Sequence, residues 1–452
     1  MNLFGRKKSF RGGVHPPGKK EFSRAAPIEI LPPPDKVMLA TLQNVGQPCQ
    51  PIVKPRQRVV YGEKIGEGKA FVSASLHTPI AGVVQRMKTM TFPNGRHLPV
   101  MIVKAEGKQV DGEELVSEIL GGEWPKDCMR LYEPMYIHDA ISDAGIVGLG
   151  GAAFPTHIKI THESKQPINT LIINGCECEP YLTSDDRLMM DAPGPIISGT
   201  LLAARALGVK KMIIGVEDNK PRAIKALRKE AADTEIRIIA LKTKYPQGSE
   251  KQLIGALTGK EILPGKLPGD VGVAINNVGT IAAVARAVAR GKPLTHRVIS
   301  VTGEGIVQPK NILTPIGVSV KTLIDFCGGL KPDAARVIAG GPMMGFAFTD
   351  LNTPVTKGTS GITVLTENEV RKEQETGCLR CGRCVDACPM HLVPTKLALA
   401  SRYKALQVAE DYNIRACFEC GSCAFICPAQ IPLVQLIRSG KMYLAAKDRK
   451  AA

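Results

Sequence analysis

Apolar and polar positions alternate in a regular order through the middle of the chain. Short apolar runs bounded by turn residues are typical of buried strands, and they occupy residues 169–175, 210–217, 236–242 and 270–277. Two stretches between them, 198–208 and 220–233, repeat apolar residues at helical spacing, and Gly208 is a candidate helix C-cap. This alternation predicts a Rossmann-like parallel sheet with helices on both faces, here over residues 130–295. Ligands of such folds bind at the carboxyl ends of the strands.

Weaker patterns precede this domain. Residues 1–35 are rich in Gly, Pro and Lys, and predict an extended N-terminal segment that is not a packed element. Residues 36–125 alternate short strand-like pieces with Gly turns, which predicts a β module that resembles the barrel-sandwich of biotinyl and lipoyl carriers. In those carriers a hairpin tip holds the modified lysine, whereas Ala81 and Gly82 stand at the corresponding tip here. The module is therefore expected to be structural.

Two further modules follow the α/β domain. Residues 296–350 contain two strand-like runs and a helix, which predicts a small α+β module of the SLBB or ubiquitin-like kind. Its Met343–Met344 pair is expected to pack in a loop or core rather than line a cofactor pocket. Residues 365–440 predict a helix-rich ferredoxin-like domain, followed by a basic tail over 441–452. The expected fold class is multidomain α/β.

The pattern C-x2-C-x2-C-x3-C-P occurs twice near the end of the chain. It is the spacing of bacterial ferredoxins, in which three close thiolates hold one [4Fe–4S] cluster and the fourth cysteine of the run binds the other cluster. One cluster is therefore assigned to Cys378, Cys381, Cys384 and Cys427, and the second to Cys417, Cys420, Cys423 and Cys388. Structural zinc is the alternative, although zinc sites usually separate two C-x2-C pairs widely. Three other cysteines, Cys49, Cys128 and Cys327, are expected to be inert buried thiols.

Composition and charge limit the partners and the cellular compartment that we expect for the chain. The chain of 452 residues has 59 Lys and Arg against 42 Asp and Glu, a formal charge of +17. Such a charge favours anionic partners, including nucleotides, acidic electron carriers and a membrane surface. Nucleic acid is not expected, because the basic residues are dispersed and aromatic residues make up only 4%. The opening residues lack the apolar stretch of a signal peptide, so a reducing cytosol is the expected compartment. The sequence also contains no run of about 18 apolar residues of the kind that spans a bilayer.

Four polar or Gly-rich stretches fall at or near predicted strand ends. The first, GIVGLGGAAFPTHIK, has glycines that let a backbone approach a phosphate closely, although a plain tight turn is the alternative when it is taken alone. The others are NGCECEPYLTSDDR at 174–187, YPQGSEKQL at 245–253 and INNVGT at 275–280. Cys176 and Cys178 in the second stretch could bind a metal or react as redox thiols, but a cofactor loop accounts for them without either role.

In order and content these stretches resemble the flavin- and NADH-binding subunit of respiratory complex I, whose loops read GGAGFPTG-x-K, N-A-D-E-x-E-P, Y-x-x-G-E-E and N-N-V-E-T. The resemblance implies FMN and NAD(H) sites. It places at the flavin and nucleotide Gly145, Gly148, Gly150, Gly151, Lys159 and Tyr245. It places at the isoalloxazine edge Asn174 and Glu177, and at the flavin phosphate Asn276, Asn277 and Thr280. The residues that would face NADH are Phe154, Glu179 and Glu250.

Glu177 and Glu179 are the residues expected at the reacting centre, where they would position the nicotinamide and shape its electrostatic field rather than act as general bases. NADH gives up its two electrons as a hydride, whereas a [4Fe–4S] cluster accepts one electron at a time. A flavin between them resolves this mismatch. Three residues depart from the complex I pattern: Cys176, Ser249 and Gly279.

Nearly the whole chain resembles the RnfC family, whose members are subunits of the Rnf complex, a membrane-bound ferredoxin:NAD+ oxidoreductase. The motifs that carry this resemblance are FRGGVHPPGKK, GIVGLGGAAFP, NGCECEPYLTSDDRLM, YPQGSEKQLI and the two cysteine runs. It implies noncovalent FMN, NAD(H) as substrate, two [4Fe–4S] clusters, and contact with integral-membrane and ferredoxin-like subunits. The implied location is peripheral, at the cytoplasmic face of the cell membrane, in a complex that moves Na+ or H+.

Two other functions stay open at this point. The chain could be the diaphorase subunit of a soluble flavin/iron–sulfur oxidoreductase, although such a subunit normally carries a single C-x2-C-x2-C arrangement. It could also be an iron–sulfur wiring subunit without a flavin, because the departures at Cys176, Ser249 and Gly279 lie in the cofactor loops.

Overall fold

The computed structural model describes residues 8–161, 167–370 and 374–451. Its first part is a β module that follows a 3-10 helix at Lys20–Phe22 and a short strand, β1 (Ile28–Ile30). The strands of the module are β2 (Lys36–Ala40), β3 (Gln50–Pro51), β4 (Arg58–Val59), β5 (Lys64–Glu67), β6 (Leu76–His77), β7 (Gly82–Val84), β8 (Lys88–Thr91) and β9 (His97–Ala105). They form two antiparallel sheets, one in the order β2-β9-β7-β4 with β8 beside β9, and one in the order β3-β5-β6.

The segment compared above with a carrier hairpin runs from β6 to β7. These two strands belong to different sheets, so residues 77–84 cross from one sheet to the other and do not form a paired hairpin. The prediction of a hairpin tip at Ala81 is therefore wrong. Strand β6 pairs with β5 and strand β7 pairs with β9, so β6 and β7 do not pair with each other.

A Rossmann-like α/β domain follows, as the apolar pattern predicts. Its elements are α1 (Gly112–Ile119), α2 (Cys128–Leu131), α3 (Pro134–Asp143), α4 (Thr156–Lys159), β10 (Thr170–Gly175), α5 (Ser184–Asp191), α6 (Pro193–Leu207), β11 (Lys211–Glu217), α7 (Pro221–Glu230), β12 (Arg237–Leu241), α8 (Glu250–Thr258), a 3-10 helix (Pro268–Val271), β13 (Val273–Asn277) and α9 (Val278–Arg290). The four strands are parallel in the order β12-β11-β10-β13.

Helices cover both faces of this sheet, which explains why its strands are continuous apolar runs. Leu171 and Ile173 of β10 join the core formed with α6 and α9, whereas Ile172 points to the opposite core beneath α8. Helix α6 ends where the sequence predicts, because Gly208 adopts a φ of 67° that favours glycine.

The third module is a six-stranded sheet. Its own elements are β14 (His296–Thr302), β15 (Lys310–Pro315), α10 (Val320–Phe326), β16 (Ala334–Ala339), β17 (Phe346–Ala347) and β18 (Gly361–Thr366). The strand order is β1-β15-β14-β18-β16-β17. Two features go beyond the sequence expectation: β1 comes from the N-terminal segment, and the sheet continues past residue 350 to include β18.

The C-terminal domain is helix-rich, as predicted. Its helices are α11 (Arg383–Asp386), α12 (Pro394–Arg402), α13 (Leu406–Asp411), a 3-10 helix (Ile414–Ala416), α14 (Ser422–Phe425) and α15 (Leu433–Ala451). Helix α15 runs through most of the predicted basic tail, and Gly440 lets it approach Ser401 of α12 closely. Among the described residues, no helix has both the length and the apolar character needed to cross a membrane.

Residues 8–24, here called the N-terminal strap, are packed rather than a free lead-in, which corrects the sequence expectation. The strap contacts both the α/β domain and the C-terminal domain. The Gly13 N–H donates to the Ala387 carbonyl at 2.9 Å, and Val14 and Tyr245 exchange two backbone hydrogen bonds at 2.9 and 3.0 Å. A Cβ added to Gly12 would lie 2.9 Å from the Cys388 carbonyl oxygen, so the strap touches the backbone of a cysteine run.

Candidate functional site

The carboxyl ends of β10 and β13 open into a cavity of about 880 Å³, called here the main cavity. Its volume lies in the usual range for small-molecule sites. Eleven of the residues predicted from the complex I resemblance line it: Gly148, Gly150, Gly151, Lys159, Asn174, Glu177, Glu179, Tyr245, Glu250, Asn276 and Asn277. The four sequence stretches thus converge in space, because parallel strands end at one edge of the sheet.

Three residues of the same predicted set lie outside the lining. Thr280 is buried, and its hydroxyl accepts a hydrogen bond from the Leu149 N–H at 2.8 Å, which ties the Gly-rich loop to α9. Gly145 packs against the β module, where an added Cβ would lie 2.1 Å from the Ser75 carbonyl oxygen. The centre of the Phe154 ring lies 6.0 Å from the Lys159 ammonium, and Phe154 does not belong to the cavity lining. Of these three residues, Thr280 supports the Gly-rich loop through a hydrogen bond.

Glu177 anchors the 174–182 loop to helix α5. Its carboxylate accepts hydrogen bonds from the Asp185 N–H at 2.7 Å and the Asp186 N–H at 3.1 Å, and a third from the Ser184 hydroxyl. A carboxylate at a helix N-terminus is stabilised by the helix dipole and by otherwise unpaired N–H groups. The Glu177 carboxylate is therefore engaged in fixing the loop, and its φ of 46° marks a left-handed turn there.

The expectation that Met343 and Met344 do not line a cofactor pocket is wrong for Met344, which lines the main cavity. Glu179 meets this Met343–Met344 segment. Its carboxylate accepts hydrogen bonds from the N–H groups of Met343 and Met344 at 3.3 and 2.8 Å. A Cβ on Gly341 would lie 2.7 Å from a Glu179 oxygen, so the glycine is needed for this approach. Burial raises the pKa of Glu179 to about 7, even though the two N–H groups work in the opposite direction. The carboxyl group therefore titrates near neutral pH at the cavity wall.

The start of α9 forms the end of the cavity predicted for the flavin phosphate. Asn277 caps the helix by accepting from the Gly279 N–H at 2.8 Å and the Thr280 N–H at 3.3 Å, and its amide donates to Asp185 at 2.7 Å. The buried Asn276 side-chain Nδ2 has no acceptor among the described residues. An unused buried donor beside the positive end of a 13-residue helix suits a phosphate group. The residues present therefore fit FMN at this position.

The β module, expected to be only structural, forms one wall of the main cavity. The loop over 42–46 and the β8–β9 turn over 92–98 both contribute lining residues. The Val45 N–H donates to the Ala153 carbonyl at 3.0 Å, which fastens this wall to the Gly-rich loop. The sequence signals the turn through its Asn-Gly pair, but no local pattern indicates that the turn faces a cavity.

Cationic side chains in the cavity wall differ in whether a carboxylate already neutralises them. Lys159 pairs with Glu250 at 2.5 Å, and Arg438 pairs with Glu419 at 2.9 Å. Arg96, in the β8–β9 turn, has no ion-pair partner within the described ranges. It is thus the lining cation that remains available to an anionic ligand.

The two cysteine runs meet as the ferredoxin spacing predicts. Residues of both runs, Cys378, Cys381, Cys384 and Cys427, line one cavity of about 200 Å³. In the described part of the chain, no three Cys, His, Asp or Glu side chains are arranged to hold a single metal ion. Four cysteines around a cavity of this size suit the bulk of a [4Fe–4S] cluster.

The second group of cysteines lies nearer the α/β domain. Burial is the main cause that raises the pKa of the Cys423 thiol, and the neighbouring charges of Cys420, Cys417 and Cys388 add to it. Cys388 thus lies near the other run, which is the crossed arrangement expected for the second cluster. The Cys420 carbonyl accepts the Tyr245 hydroxyl at 2.6 Å, and Gln252 donates to the Pro389 carbonyl at 3.0 Å. This second group is therefore adjacent to the main cavity.

The two cysteines of the 174–182 loop differ in burial, since Cys176 is buried whereas Cys178 is half-buried and lines the main cavity. Burial raises the pKa of Cys176 well above its ordinary value and that of Cys178 to about 12, so neither is a thiolate at neutral pH. Cys178 packs with Tyr245 and Cys420 between the cavity and the cysteine runs.

Comparison with known proteins places these features in a family. The chain is 44% identical over 446 residues, 98% of its length, to the RnfC subunit of the proton-translocating ferredoxin:NAD(+) oxidoreductase complex of Clostridium ljungdahlii, of which it covers 95%. The chain belongs to the RnfC family. The RnfC subunit of the Na(+)-translocating complex of Acetobacterium woodii is 39% identical, with 98% of each chain covered. The corresponding subunit of the ion-translocating oxidoreductase complex of Rhodobacter capsulatus is also 39% identical, with 98% of this chain and 84% of the relative covered.

Family models match successive parts of this RnfC-family chain. They are described as the RnfC barrel sandwich hybrid domain (8–108), the Nuo51 FMN-binding domain (141–286), the SLBB domain (298–347) and the 4Fe-4S dicluster domain (377–431). These matches confirm the predicted multidomain α/β fold and the predicted cofactors, FMN and two [4Fe–4S] clusters. A crystal structure of an NAD+-reducing [NiFe]-hydrogenase shares the fold, with a TM-score of 0.52 and 20% identity, over 75% of this chain and 70% of that one.

Proposed function

We propose that this chain is the electron-transfer subunit of a membrane-bound ferredoxin:NAD+ oxidoreductase complex, in which it exchanges hydride between NAD(H) and FMN and passes single electrons through two [4Fe–4S] clusters. The main support for the proposal is a single contact. Tyr245 lines the main cavity, and its hydroxyl group donates a hydrogen bond to the Cys420 carbonyl at 2.6 Å. The cofactor cavity and a cluster-binding run are thus in direct contact through one residue.

The main cavity supplies positions for both the flavin and the nucleotide. Asn276 and the start of α9 would hold the flavin phosphate, and the loop of Asn174 and Glu177 would border the ring. Bound FMN would accept two electrons as a hydride and release them one at a time. Glu179 would place a carboxyl group of adjustable charge beside the nicotinamide.

The two cysteine groups occupy different places along the electron path. The cluster on the flavin side would be held by Cys388, Cys417, Cys420 and Cys423, because Cys420 and Pro389 contact the 245–253 segment. The cluster of the other group would lie on the partner side, since Cys378 and Cys381 are exposed. Leu379 and Arg380 are exposed beside them, which suits a brief contact with an acidic, ferredoxin-like subunit.

Membership of the RnfC family supports a proposal for the partners and the location of the chain. In the proposed complex the chain contacts integral-membrane subunits at the cytoplasmic face, and its charge of +17 favours an anionic membrane surface. One relative is named as part of a proton-translocating complex and another as part of a Na(+)-translocating complex, so members of this family occur in complexes that move either ion.

Anaerobic purification followed by NADH titration tests the proposal. We expect about eight iron atoms and one noncovalent FMN per chain, with NADH bleaching the flavin band before cluster signals appear by electron paramagnetic resonance (EPR). Full iron content without any flavin, even after reconstitution with FMN, would contradict the proposal and favour a wiring subunit. Flavin reduction without cluster reduction would contradict the proposed contact between the two sites.

A further inference from the structure

The loop that borders the main cavity rests on a buried lysine of the N-terminal strap. The Lys20 ammonium donates hydrogen bonds to the Glu177 and Glu179 carbonyl oxygens, each at 2.8 Å, and a third to the Leu182 carbonyl. Lys20 is 6% exposed and has no carboxylate within ion-pair distance among the described residues. All three acceptors are main-chain atoms of residues that line the cavity.

These contacts require the charged form of Lys20. Burial lowers the pKa of Lys20, and the Glu177 carboxylate acts in the opposite direction. Three carbonyl acceptors need three N–H donors, which an ammonium group has and a neutral amine lacks. The three hydrogen bonds therefore hold a positive charge under the loop.

A second lysine supports the same loop from the α/β domain. Lys220 is buried and donates to the Cys176 carbonyl, but it also pairs with Glu217 at 3.2 Å. Its charge is therefore largely neutralised. Lys20 is the cation at this loop whose charge no neighbouring carboxylate balances within ion-pair distance in the described ranges.

The two lysines determine which way the loop amides point. In a planar trans peptide the C=O and N–H groups point in opposite directions. Because the lysines bind the Cys176 and Glu177 carbonyls, the N–H groups of Glu177 and Cys178 point away from the lysines, and neither has an acceptor in the described ranges. Two successive free N–H groups at a left-handed residue, Glu177 with a φ of 46°, form a small anion-binding concavity.

We infer that Lys20 is a positioning residue for the flavin. It holds the 174–182 loop so that the N–H groups of Glu177 and Cys178 face the main cavity. Its positive charge also favours the reduced flavin, which is more negative than the oxidised form. This inference rests on the proposed function. It gives the strap a role in the flavin site as well as in joining the two domains. The effect is electrostatic and geometric, since Lys20 itself does not line the cavity.

The test compares Lys20→Met with Lys19→Met, a control that removes the same charge from the adjacent, partly exposed side chain. Apoprotein is titrated with FMN by fluorescence, and the FMN midpoint potential is measured in the reconstituted full chain. For Lys20→Met we expect FMN to bind about tenfold more weakly, because the hydrogen bonds from the Lys20 ammonium to the loop carbonyls are lost. We also expect a lower FMN midpoint potential. Iron content and the EPR signals of both clusters should stay unchanged, as should all properties of Lys19→Met.

Two further variants separate charge from structure and cover the case in which Lys20→Met does not fold. Lys20→Arg keeps the charge and the donors, so it should restore the midpoint potential, whereas Lys20→Gln keeps donors without charge and should not. Equal midpoint potentials in Lys20→Arg and Lys20→Gln would overturn the inference. FMN affinity and potential in Lys20→Met equal to those of Lys19→Met would also overturn it while leaving the proposed function intact. Failure of the unmodified chain to bind FMN would instead remove the proposed function.

Discussion

At the scale of single residues, burial raises the pKa of two carboxyl groups that line the main cavity, Asp185, which accepts a hydrogen bond from the Asn277 amide, and Glu179. Glu179 is the group that the proposed function places beside the nicotinamide. Burial raises its pKa to about 7, so the group is neutral below that pH and gains a negative charge above it. Hydride loss leaves the nicotinamide ring positively charged, and an adjacent carboxylate stabilises that charge. The rate of flavin reduction by NADH should therefore rise as the pH increases through about 7.

Glu179→Gln removes this titration and keeps the size of the side chain. We expect slower flavin reduction by NADH above pH 7, by about tenfold, because a charged interaction with the nicotinamide is lost. The rise with pH should also flatten, and the clusters should assemble normally. Stopped-flow measurements from about pH 6 to about pH 8 would check this, and an unchanged pH profile would remove Glu179 from the reacting site.

Arg96 gives a second prediction at this scale, because it is the lining cation without a carboxylate partner in the described ranges. NADH carries a pyrophosphate, so Arg96→Ala should raise KM for NADH about three- to tenfold. We expect kcat to stay nearly unchanged, because Arg96 would bind the pyrophosphate equally in the ground state and the transition state. Arg86→Ala is the matched control, since Arg86 is exposed in the same β module and lies outside the cavity lining. A similar KM in the two variants would exclude Arg96 from the nucleotide site.

At the scale of elements, each cysteine run supplies three thiols to one group and a fourth to the other. Cys427 follows α14 and lines the cavity formed by the first run, whereas Cys388 follows α11 and lies near the second run. Helices α11 and α14 therefore place the fourth cysteine of each run beside the first three cysteines of the other run. Each helix begins inside its own run and ends close to the other group of cysteines.

Cys427→Ser tests this exchange. It should alter the EPR signal of the partner-side cluster, held by Cys378, Cys381 and Cys384, and leave the signal of the flavin-side cluster unchanged. Cys388→Ser is the reciprocal control and should alter the flavin-side cluster alone. If Cys427→Ser instead changed the cluster of its own run, the crossed assignment would be wrong.

The 245–253 segment, a turn that continues into the start of α8, joins the two sites. Its residues 245–246 and 248–250 line the main cavity, and Tyr245 and Gln252 bind the C-terminal domain. Two hydrogen bonds from one short segment favour a constant separation between the cavity and the flavin-side cysteines. Constant separation suits electron transfer because its rate depends on distance.

At the scale of the whole molecule, the main cavity is built from all four modules. The β module, the α/β domain, the SLBB-like sheet and the C-terminal domain all contribute lining residues, the last through Phe418, Glu419 and Arg438. Buried Lys357 reinforces one junction, since its ammonium donates to the Ser75 and Gly145 carbonyls at 2.7 and 2.6 Å. The cavity is therefore a property of the assembled chain rather than of one domain.

The charge of the whole molecule leads to a prediction about its attachment. Because the formal charge is +17 and the proposed complex is membrane-bound, we expect protein contacts and electrostatic attraction to hold the chain at the membrane. Washing membranes with about 1 M salt should release it, because screening then shortens the Debye length to about 3 Å. Immunoblotting of the wash and pellet would measure the release. Release by detergent alone would contradict an electrostatic attachment.

The sequence by itself determined the features that depend on local spacing. The apolar runs located β10 to β13, Gly208 marked the end of α6, and the cysteine spacing predicted which thiols meet. These features follow from backbone periodicity and fixed ligand spacing, which neighbouring residues specify. The sequence located most of the loops around the main cavity because their residues occur as four contiguous motifs.

Only the tertiary structure decided which distant segments complete the site. Lys20 contacts carbonyls 157 and 159 positions away, Arg96 reaches the cavity through the fold of the β module, and the backbone of Met343 and Met344 meets Glu179 across a similar separation. The same holds for β1, which the sequence assigned to a free segment. A lysine that binds main-chain carbonyls leaves no periodic pattern, because any residue can supply a carbonyl and the chain path alone selects which ones lie within reach.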